Sequence, residues 1–254
     1  MVITTDWVRL LIVCVVFTAA AAGVAWATDL TRPLPFLKAA VRAVLQLAAV
    51  SAVITFVLAH LGLTGAFLVV MATVATATAA RRTETGWQGA WVGVAVLIGT
   101  VPALGLLIGL GLVPIKGIAL VPIGGILIGG AMTTTTLSVR RALDTLKDRH
   151  GEYEAALALG FVEPVAARFL VRKPAAEALL PPLDQTRTVG LVTLPGAFVG
   201  MLLGGAPVWQ AGALQLLVLL ALLAVEVAAV ATVVELVARG LVRRASQEGE
   251  VRLT

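Results

Sequence analysis

Residues 211–238 read AGALQLLVLLALLAVEVAAVATVVELVA, and this run identifies the structural class of the chain. Glu226 and Glu235 are its two charged residues. As an α-helix, a run of this length rises about 42 Å, which exceeds the roughly 30 Å of hydrocarbon in a bilayer. Because every backbone amide in lipid must be paired within the protein, the run is predicted to be a helix that crosses a membrane.

The remainder of the chain has the same character. Of its 254 residues, 59% are hydrophobic and 13% are charged, whereas a soluble domain carries about 25% charged residues. We therefore predict an all-α, polytopic integral membrane protein that forms a single transmembrane domain over residues 1–254. Seven apolar runs are candidate membrane helices: residues 7–28, 39–60, 65–80, 89–112, 117–139, 187–205 and 211–238.

Positive charges are concentrated in alternate connections between these runs, and this pattern predicts the orientation. Since positive segments stay cytoplasmic, we expect the N-terminus outside and the C-terminus inside, in a multi-pass protein of the inner (plasma) membrane. Topology accounts for the net charge of +5, and nucleic acid is not an expected partner because no basic face carries aromatic side chains. The cations that set this orientation are Arg32, Lys38, Arg42, Arg81, Arg82, Arg140, Arg141, Lys147, Arg149, Arg168, Arg172, Lys173, Arg239, Arg243, Arg244 and Arg252.

Polar side chains inside membrane helices are costly and are therefore candidates for function. Glu226 lies near the middle of the last run, and Gln215 lies eleven residues earlier, about three helical turns, so the two share one face. Glu226 is expected to bind a cation, to relay a proton, or to form a neutral hydrogen bond with a neighbouring helix. Gln46, one turn after Arg42 in the second run, is expected either to line a path or to join two helices.

Leu194, Pro195 and Gly196 interrupt the sixth run. Proline removes a backbone donor and clashes with the preceding turn, while glycine relaxes the path of the chain. Broken helices at membrane depth are tolerated where they line a cavity or are buried in protein. This break is therefore expected to border the translocation path, and an ordinary proline kink is the alternative.

A polar, basic segment over about residues 140–186 is predicted to be a cytoplasmic loop of short helices. It contains EAALALG at residues 154–160, where alanine favours a helix of little bulk and Gly160 ends it. A small-faced helix fits into the groove of a partner protein without steric conflict. A solvated surface helix without a partner is the alternative.

Several kinds of site are not predicted. The chain has no phosphate-binding loop and no His-Glu-x-x-His motif, and its two histidines make a histidine-based metal site improbable. We therefore expect no enzyme activity and no cofactor in this chain. Four threonines, Thr133 to Thr136, are expected to bond back to carbonyls of their own helix.

In combination, several short motifs resemble the FetB (YbbM) group of ABC-transporter permeases, in the same order from about residue 38 to 240. Residues 154–160 resemble the EAA coupling motif of such permeases. The other motifs are Arg42-x-x-x-Gln46-Leu47, Val121-Pro122-Ile123-x-Gly125, Gly129-x-Ala131-Met132 and TVGLVTLPG at residues 188–196.

The resemblance implies a permease subunit that exports iron or another metal. It would pair as a homodimer and bind a separate cytoplasmic ATPase that holds ATP and magnesium. Plant relatives in the group are associated with aluminium tolerance. The residues that would contact the ATPase are Glu154, Ala155, Ala156 and Gly160. The candidates for the translocation path are Gln46, Met132, Arg187, Leu194, Pro195, Gly196, Gln215 and Glu226.

The chain departs from the family pattern at two places. Gly130 stands where the family commonly has asparagine, and Ala197-Phe198 stands where bacterial members often have two methionines. Because asparagine oxygen and methionine sulfur are plausible metal contacts, these departures reduce the support for iron while leaving the coupling motif intact. The alternatives are an ABC permease for a non-metal solute, an ion- or proton-coupled secondary transporter with Glu226 as relay, and a membrane scaffold.

Overall fold

The computed structural model describes residues 6–244 and confirms an almost entirely helical protein. Arg252, one of the cations used to predict orientation, lies outside the described residues. Short 3₁₀ turns occur at Gly86–Gln88 and Glu177–Leu179. The α-helices are α1 (Trp7–Ala27), α2 (Leu34–Ala59), α3 (Leu61–Thr83), α4 (Gly89–Gly109), α5 (Gly117–Asp148), α6 (His150–Ala158), α7 (Glu163–Ala176), α8 (Leu180–Thr188), α9 (Gly196–Leu203) and α10 (Val208–Ala238).

Six of the described helices are long and apolar enough to cross a membrane: α1, α2, α3, α10 and the segments that contain α4 and α5. They correspond to six of the seven runs predicted from the sequence. The third helix is longer than predicted, at 23 residues. The fifth continues to Asp148, beyond its apolar part, and so carries the cations Arg140 and Arg141 on a helix rather than on a loop.

The expected helix over residues 187–205 is not continuous, which corrects the prediction. Helix α8 ends at Thr188, and α9 begins at Gly196 and is 8 residues long. Between them the chain turns, with Gly190 at φ +81°, a conformation that other residues rarely adopt. Pro195 then precedes α9 as its N-cap residue. The predicted break is therefore a full interruption rather than a kink.

The described chain divides into two compact units between Ala59 and His60. In the first unit, α1 and α2 bury few side chains, and most of their large apolar residues are exposed. An apolar groove of about 440 Å³ runs between these two helices and includes Cys14. Exposed apolar surface of this kind is compatible with lipid, which is as apolar as the side chains themselves.

The second unit is built around α5 and α10, which run in the same direction. A first cluster joins Leu120 and Leu127 of α5 to Val218 and Leu222 of α10. A second cluster joins residues further along both helices, such as Val139 of α5 and Val233 of α10. Because residue numbers increase from the first cluster to the second in both helices, the C-terminal ends of α5 and α10 lie at the same end of the unit.

Helix α7 packs across that end. Its buried residues, Ala166, Ala167, Leu170, Val171 and Ala175, recur at helical spacing and form one apolar face. Val171 and Ala175 belong to the second cluster. On the exposed side, Arg172 and Lys173 remain in solvent. The charge pattern predicts that this end of the unit is cytoplasmic.

Because α5 and α10 run in the same direction, the segment between them must return to the other end of the unit. The chain leaves α7 at the end where α5 and α10 terminate, yet α10 begins at the opposite end. Residues 177–207 must therefore travel the length of the unit, and they do so as α8, a turn and α9. The count of seven crossings remains a prediction, with this discontinuous segment as the sixth.

Candidate functional site

A cavity of about 330 Å³ lies where α5, α8 and α10 meet. Its walls come from three separate stretches of chain, and the 3₁₀ turn before α8 adds one residue. Most of the lining is apolar, with hydroxyl, amide and carboxyl groups from four residues. The lining residues are Ile126, Gly129, Gly130, Thr133, Thr134, Leu137, Ala178, Pro181, Pro182, Gln185, Leu222 and Glu226.

Glu226 is the charged residue of this cavity wall. Its side chain belongs to α10 and is only 4% exposed. Thr134 of α5 donates a hydrogen bond from Oγ1 to Glu226 Oε1 at 3.1 Å. The other carboxyl oxygen, Oε2, is buried and has no hydrogen-bond partner among the described residues. The neutral interhelical hydrogen bond that we considered from the sequence therefore accounts for only half of this carboxyl group.

Gly130 allows the two helices to approach at this point. A Cβ atom on Gly130 would lie 2.4 Å from Leu222 Cδ1 and 2.9 Å from Glu226 Oε1. Both distances are shorter than van der Waals contact, so a larger residue requires these side chains to move. Gly124 and Gly125 similarly face Leu68 and Met71 of α3. Gly124, Gly125 and Gly130 thus allow close packing within the chain, as small residues do in membrane helices.

The threonines of α5 confirm the predicted back-bonding only in part. Thr133 donates to the carbonyl of Gly129, and Thr136 donates to the carbonyl of Met132. Thr134 instead reaches across to α10, 92 positions away in the chain. The hydroxyl of Thr135 is buried without a partner in the described structure. The sequence marks four hydroxyls but does not indicate which one faces another helix.

The other intramembrane candidates of the second unit lie away from the cavity. Gln215 is buried in α10, and its Oε1 has no partner among the described residues. It stands about 16 Å before Glu226 along the helix. Met132 packs against the second cluster, on a different face of α5 from the cavity lining. Neither residue lines the cavity with Glu226.

The translocation-path candidates in the sixth apolar run lie at the surface of the second unit. Arg187 is exposed in the last turn of α8 and pairs with Asp184 at 3.5 Å. Leu194 is exposed, while Pro195 and Gly196 begin α9. Gln185, two residues before Arg187, lines the cavity, although no sequence signal distinguished it from other polar residues of the loop.

Gln46 lies in the first unit. With Lys38 and Arg42 it borders an open groove along α2, and the three recur every fourth residue on one helical face. The relation of Arg42 and Gln46 as neighbours one turn apart is therefore confirmed within α2.

The predicted coupling motif forms α6 and the turn after it. Glu154 and Ala155 are exposed, and His150 Nε2 lies 3.2 Å from Glu154 Oε1. Gly160 has φ +89° with open space around its Cα, so it ends the helix in a conformation that favours glycine. At the start of α6, the hydrogen bond from Arg149 holds the pKa of the Glu152 carboxyl below its usual value.

Large apolar side chains are exposed in the polar segment that contains this motif. Leu159 is 80% exposed, Phe161 is 52% exposed, and Phe169 on α7 is 80% exposed. All three belong to the polar segment rather than to a predicted membrane helix. We refer to α6, residues 159–162 and Phe169 together as the coupling surface.

In the described part of the chain, no group of three or more His, Cys, Asp or Glu side chains is placed to hold a metal ion. The cavity offers one carboxyl group, two threonine hydroxyls and one amide, which are hard oxygen donors apart from the amide nitrogen. This donor set is suited to transient contact with a cation rather than to permanent chelation.

Comparison with known proteins gives one family and several relatives. A model of an uncharacterised protein family, UPF0014, matches residues 7–242. The UPF0014 membrane protein STAR2 of Oryza sativa subsp. japonica is 34% identical over 72% of this chain and 65% of its own length. Protein ALUMINUM SENSITIVE 3 of Arabidopsis thaliana is 37% identical over 59% of this chain and 55% of its own.

The probable iron export permease protein FetB of Escherichia coli (strain K12) is 29% identical over 51% of this chain and 50% of its own length. The chain thus spans between half and two thirds of the length of these curated relatives. No solved structure matches it.

Proposed function

The chain belongs to the UPF0014 family, and from this premise we propose that it is the membrane-spanning permease subunit of an ABC-type transporter. A separate cytoplasmic ATPase, which holds ATP and magnesium, drives it. The complex exports iron or another metal across the plasma membrane, as the name of the relative FetB indicates for that protein. The observation that carries this proposal is the continuous connection from the coupling surface to the cavity that contains Glu226.

The coupling surface has the features of a docking site for another protein. Exposed apolar side chains at the polar end of a membrane protein are costly in water, and such patches commonly mark interaction sites. Leu159 and Phe169 are both 80% exposed, and α6 exposes the small residues Ala155 and Ala158 beside its charged ones. A cytoplasmic ATPase that grips α6 would cover these side chains.

The link from this surface to the membrane helices is specific. Arg168 of α7 donates from Nη2 to Glu235 of α10 at 2.7 Å. Arg141 of α5 lies 3.5 Å from Glu177, which follows α7. Helix α7 is therefore attached to both α5 and α10 by ion pairs as well as by its apolar face.

The chain then leads directly into the cavity wall. After α7 it forms the turn Glu177–Leu179 and then α8, whose Pro181, Pro182 and Gln185 line the cavity opposite Glu226. When the ATPase changes conformation, a shift of α6 and α7 moves α8 and so opens or closes this wall. The ATPase drives this equilibrium only if it binds the coupling surface differently in the two states.

A second copy of the chain completes the proposed transporter. Gly196 and Gly200 lie one turn apart on α9, and a Cβ at either position would meet no atom within 4 Å. Small residues four apart let helices from two chains approach closely. Two permease subunits would then match two ATPase subunits.

A secondary transporter driven by ions or protons is the second candidate function. The buried, half-paired carboxyl group of Glu226 favours it, because such groups serve as proton relays in membrane transporters. The two functions differ in their energy source. Transport by the purified chain without an ATPase, driven by an ion gradient, would establish the second one.

The coupling assignment is tested with Gly160→Asp and a matched control, Gly111→Asp. Both glycines have positive φ and open surroundings, at +89° and +69°, so backbone strain is similar. Gly111 follows α4, at the opposite end of the unit from α6. We expect Gly160→Asp to abolish co-purification with an ABC ATPase encoded beside the gene, and ATP-dependent iron transport in proteoliposomes. Gly111→Asp should retain both; retention of both by Gly160→Asp would show that the coupling assignment is wrong.

A further inference from the structure

We propose that the cavity between α5, α8 and α10 binds the positively charged centre of the transported solute, with Glu226 as its counter-charge. This inference rests on the proposed transport function and adds the site, and the residue, that recognise the charge of the cargo. Its basis is the carboxyl group of Glu226, the oxygen-bearing side chains beside it and the apolar remainder of the wall.

The first step concerns charge. Glu226 is 96% buried, as its exposed fraction of 4% implies, and it borders the cavity. Thr134 satisfies one carboxyl oxygen, but Oε2 has no partner in the described structure. None of the described lining residues is a lysine, arginine or histidine. A buried carboxylate without a counter-charge is strongly disfavoured, so a cation that enters the cavity gains the attraction that the protein itself does not satisfy.

The second step concerns the other donors. Thr133 and Thr134 of α5 and Gln185 of α8 add hydroxyl and amide oxygens to the cavity lining, and these oxygens carry partial negative charge. The rest of the lining consists of glycine, alanine, proline, leucine and isoleucine. A site with one carboxyl group, neutral oxygens and no cation attracts positive groups and disfavours anions.

The third step concerns size. A cavity of about 330 Å³ has room for about ten water molecules at roughly 30 Å³ each. This space exceeds that of a bare ion, so the occupant is either a metal ion that keeps part of its water shell or a small organic cation. Both share the positive charge that Glu226 recognises, and the experiment below separates them.

The fourth step concerns release. A transporter must bind its cargo and then let it go, which requires a contact that is favourable but not tight. One carboxyl group satisfies this condition, whereas three or more anionic or imidazole ligands would hold a metal ion firmly. No such group of ligands occurs within residues 6–244. The composition of the cavity therefore fits passage of a cation rather than its storage.

The test is chemical protection of Glu226 in the full-length protein, purified in detergent without an ATPase. Diisopropylcarbodiimide is apolar and modifies carboxyl groups in membrane-buried sites, and peptide mass spectrometry quantifies the adduct at each residue. The two probes are manganese(II) chloride and tetraethylammonium chloride, and a sample with sucrose serves as the reference. Benzoic acid added to every sample is the internal control for reagent activity.

We expect Glu226 to be modified in sucrose and at least one probe to slow this reaction by about fivefold or more, with the consumption of benzoic acid unaffected. Protection by manganese alone identifies a metal ion as the occupant, and protection by tetraethylammonium alone identifies an organic cation. Protection by both shows recognition of charge alone. Absence of an adduct at Glu226, or absence of protection by either probe, would overturn the proposal.

Two valine variants of α5 provide a matched comparison. Thr134→Val removes the hydrogen bond to Glu226, whereas Thr136→Val removes a hydroxyl that bonds within its own helix. Both threonines are buried. We expect the half-protecting concentration of the effective probe to change by about threefold or more in Thr134→Val and to stay near the wild-type value in Thr136→Val. Equal behaviour of the two variants would overturn the proposal. Because no ATPase is present, failure here is distinct from failure of the coupling assignment.

Discussion

Gly130 controls the distance between α5 and α10 at the level of Glu226. Its missing side chain is the space that Leu222 and the carboxyl group of Glu226 occupy. A single atom at this residue therefore affects both helix packing and the geometry of the cavity.

We predict that Gly130→Ala destabilises the protein by about 1–3 kcal/mol, because the added methyl group overpacks against Leu222 and Glu226. The neighbouring variant Gly129→Ala is the control, since a Cβ at that position meets no atom within 4 Å. Alanine is the better helix former, so Gly129→Ala should be neutral or slightly stabilising. Thermal unfolding of the two variants in the same detergent provides the measurement. Equal melting temperatures would contradict the close approach at Gly130.

At the scale of elements, α7 connects the polar segment to the membrane helices. It combines an apolar face, which packs on α5 and α10, with the ion pair between Arg168 and Glu235. Glu235 also pairs with Arg239, in the turn that follows α10. Glu235, unlike Glu226, therefore makes its contacts at the surface. In the proposed mechanism, this attachment transmits a movement of α6 to α8.

We predict that Arg168→Ala loosens α7 from α10. The pair is partly exposed, with side-chain exposures of 42% and 34%, so its loss should cost about 1 kcal/mol or less. Hydrogen exchange of the α7 backbone amides should accelerate by up to about fivefold, with little change in α4. Arg172→Ala, one turn later on the exposed side of α7, should leave the exchange rates near those of the wild type. The same acceleration in both variants would argue against a specific role of Arg168.

At the scale of the whole molecule, the second unit reverses direction through a discontinuous segment. Helices α3, α5 and α10 run one way and α4 runs the other, as the residues shared by the two clusters indicate. Helix α8, the turn after it and α9 carry the chain from α7 back to the start of α10. Segments with free backbone groups are tolerated at membrane depth only beside protein or a water-filled cavity. The cavity borders the α8 part of this segment as far as Gln185.

We predict that residues 158 and 210 lie on opposite sides of the membrane. In a Cys14→Ser background, which removes the single cysteine of the chain, Ala158→Cys should react with a membrane-impermeant maleimide only after the membrane is opened. Gln210→Cys, in the first turn of α10, should react in intact cells, as the orientation by positive charges requires. Labelling of both positions from the same side would contradict the crossing by α8 and α9.

The sequence by itself determined the properties that depend on local composition. Length and apolarity predict six helices that the structure confirms, because a membrane helix needs only a sufficient run of apolar residues. The helix at 154–158, the glycine that ends it and the break at Pro195 were also predicted, since caps and proline act within one or two turns. The prediction of a continuous helix over residues 187–205 was wrong. The average hydropathy of this run suits a membrane helix, but Gly190 and Pro195 together produce a turn within it.

Only the tertiary structure decided which polar groups meet. Thr134 and Glu226 are 92 positions apart, and nothing in either local pattern links them. Gln185 faces the cavity only because α7 docks on α5 and α10 and so sets the course of α8. Likewise, Met132 and Gln215 lie outside the cavity that Glu226 lines, although the sequence marks all three as path candidates. The physical reason is that hydrogen bonds and cavities depend on distances between helices, whereas periodicity in a sequence describes one helix at a time.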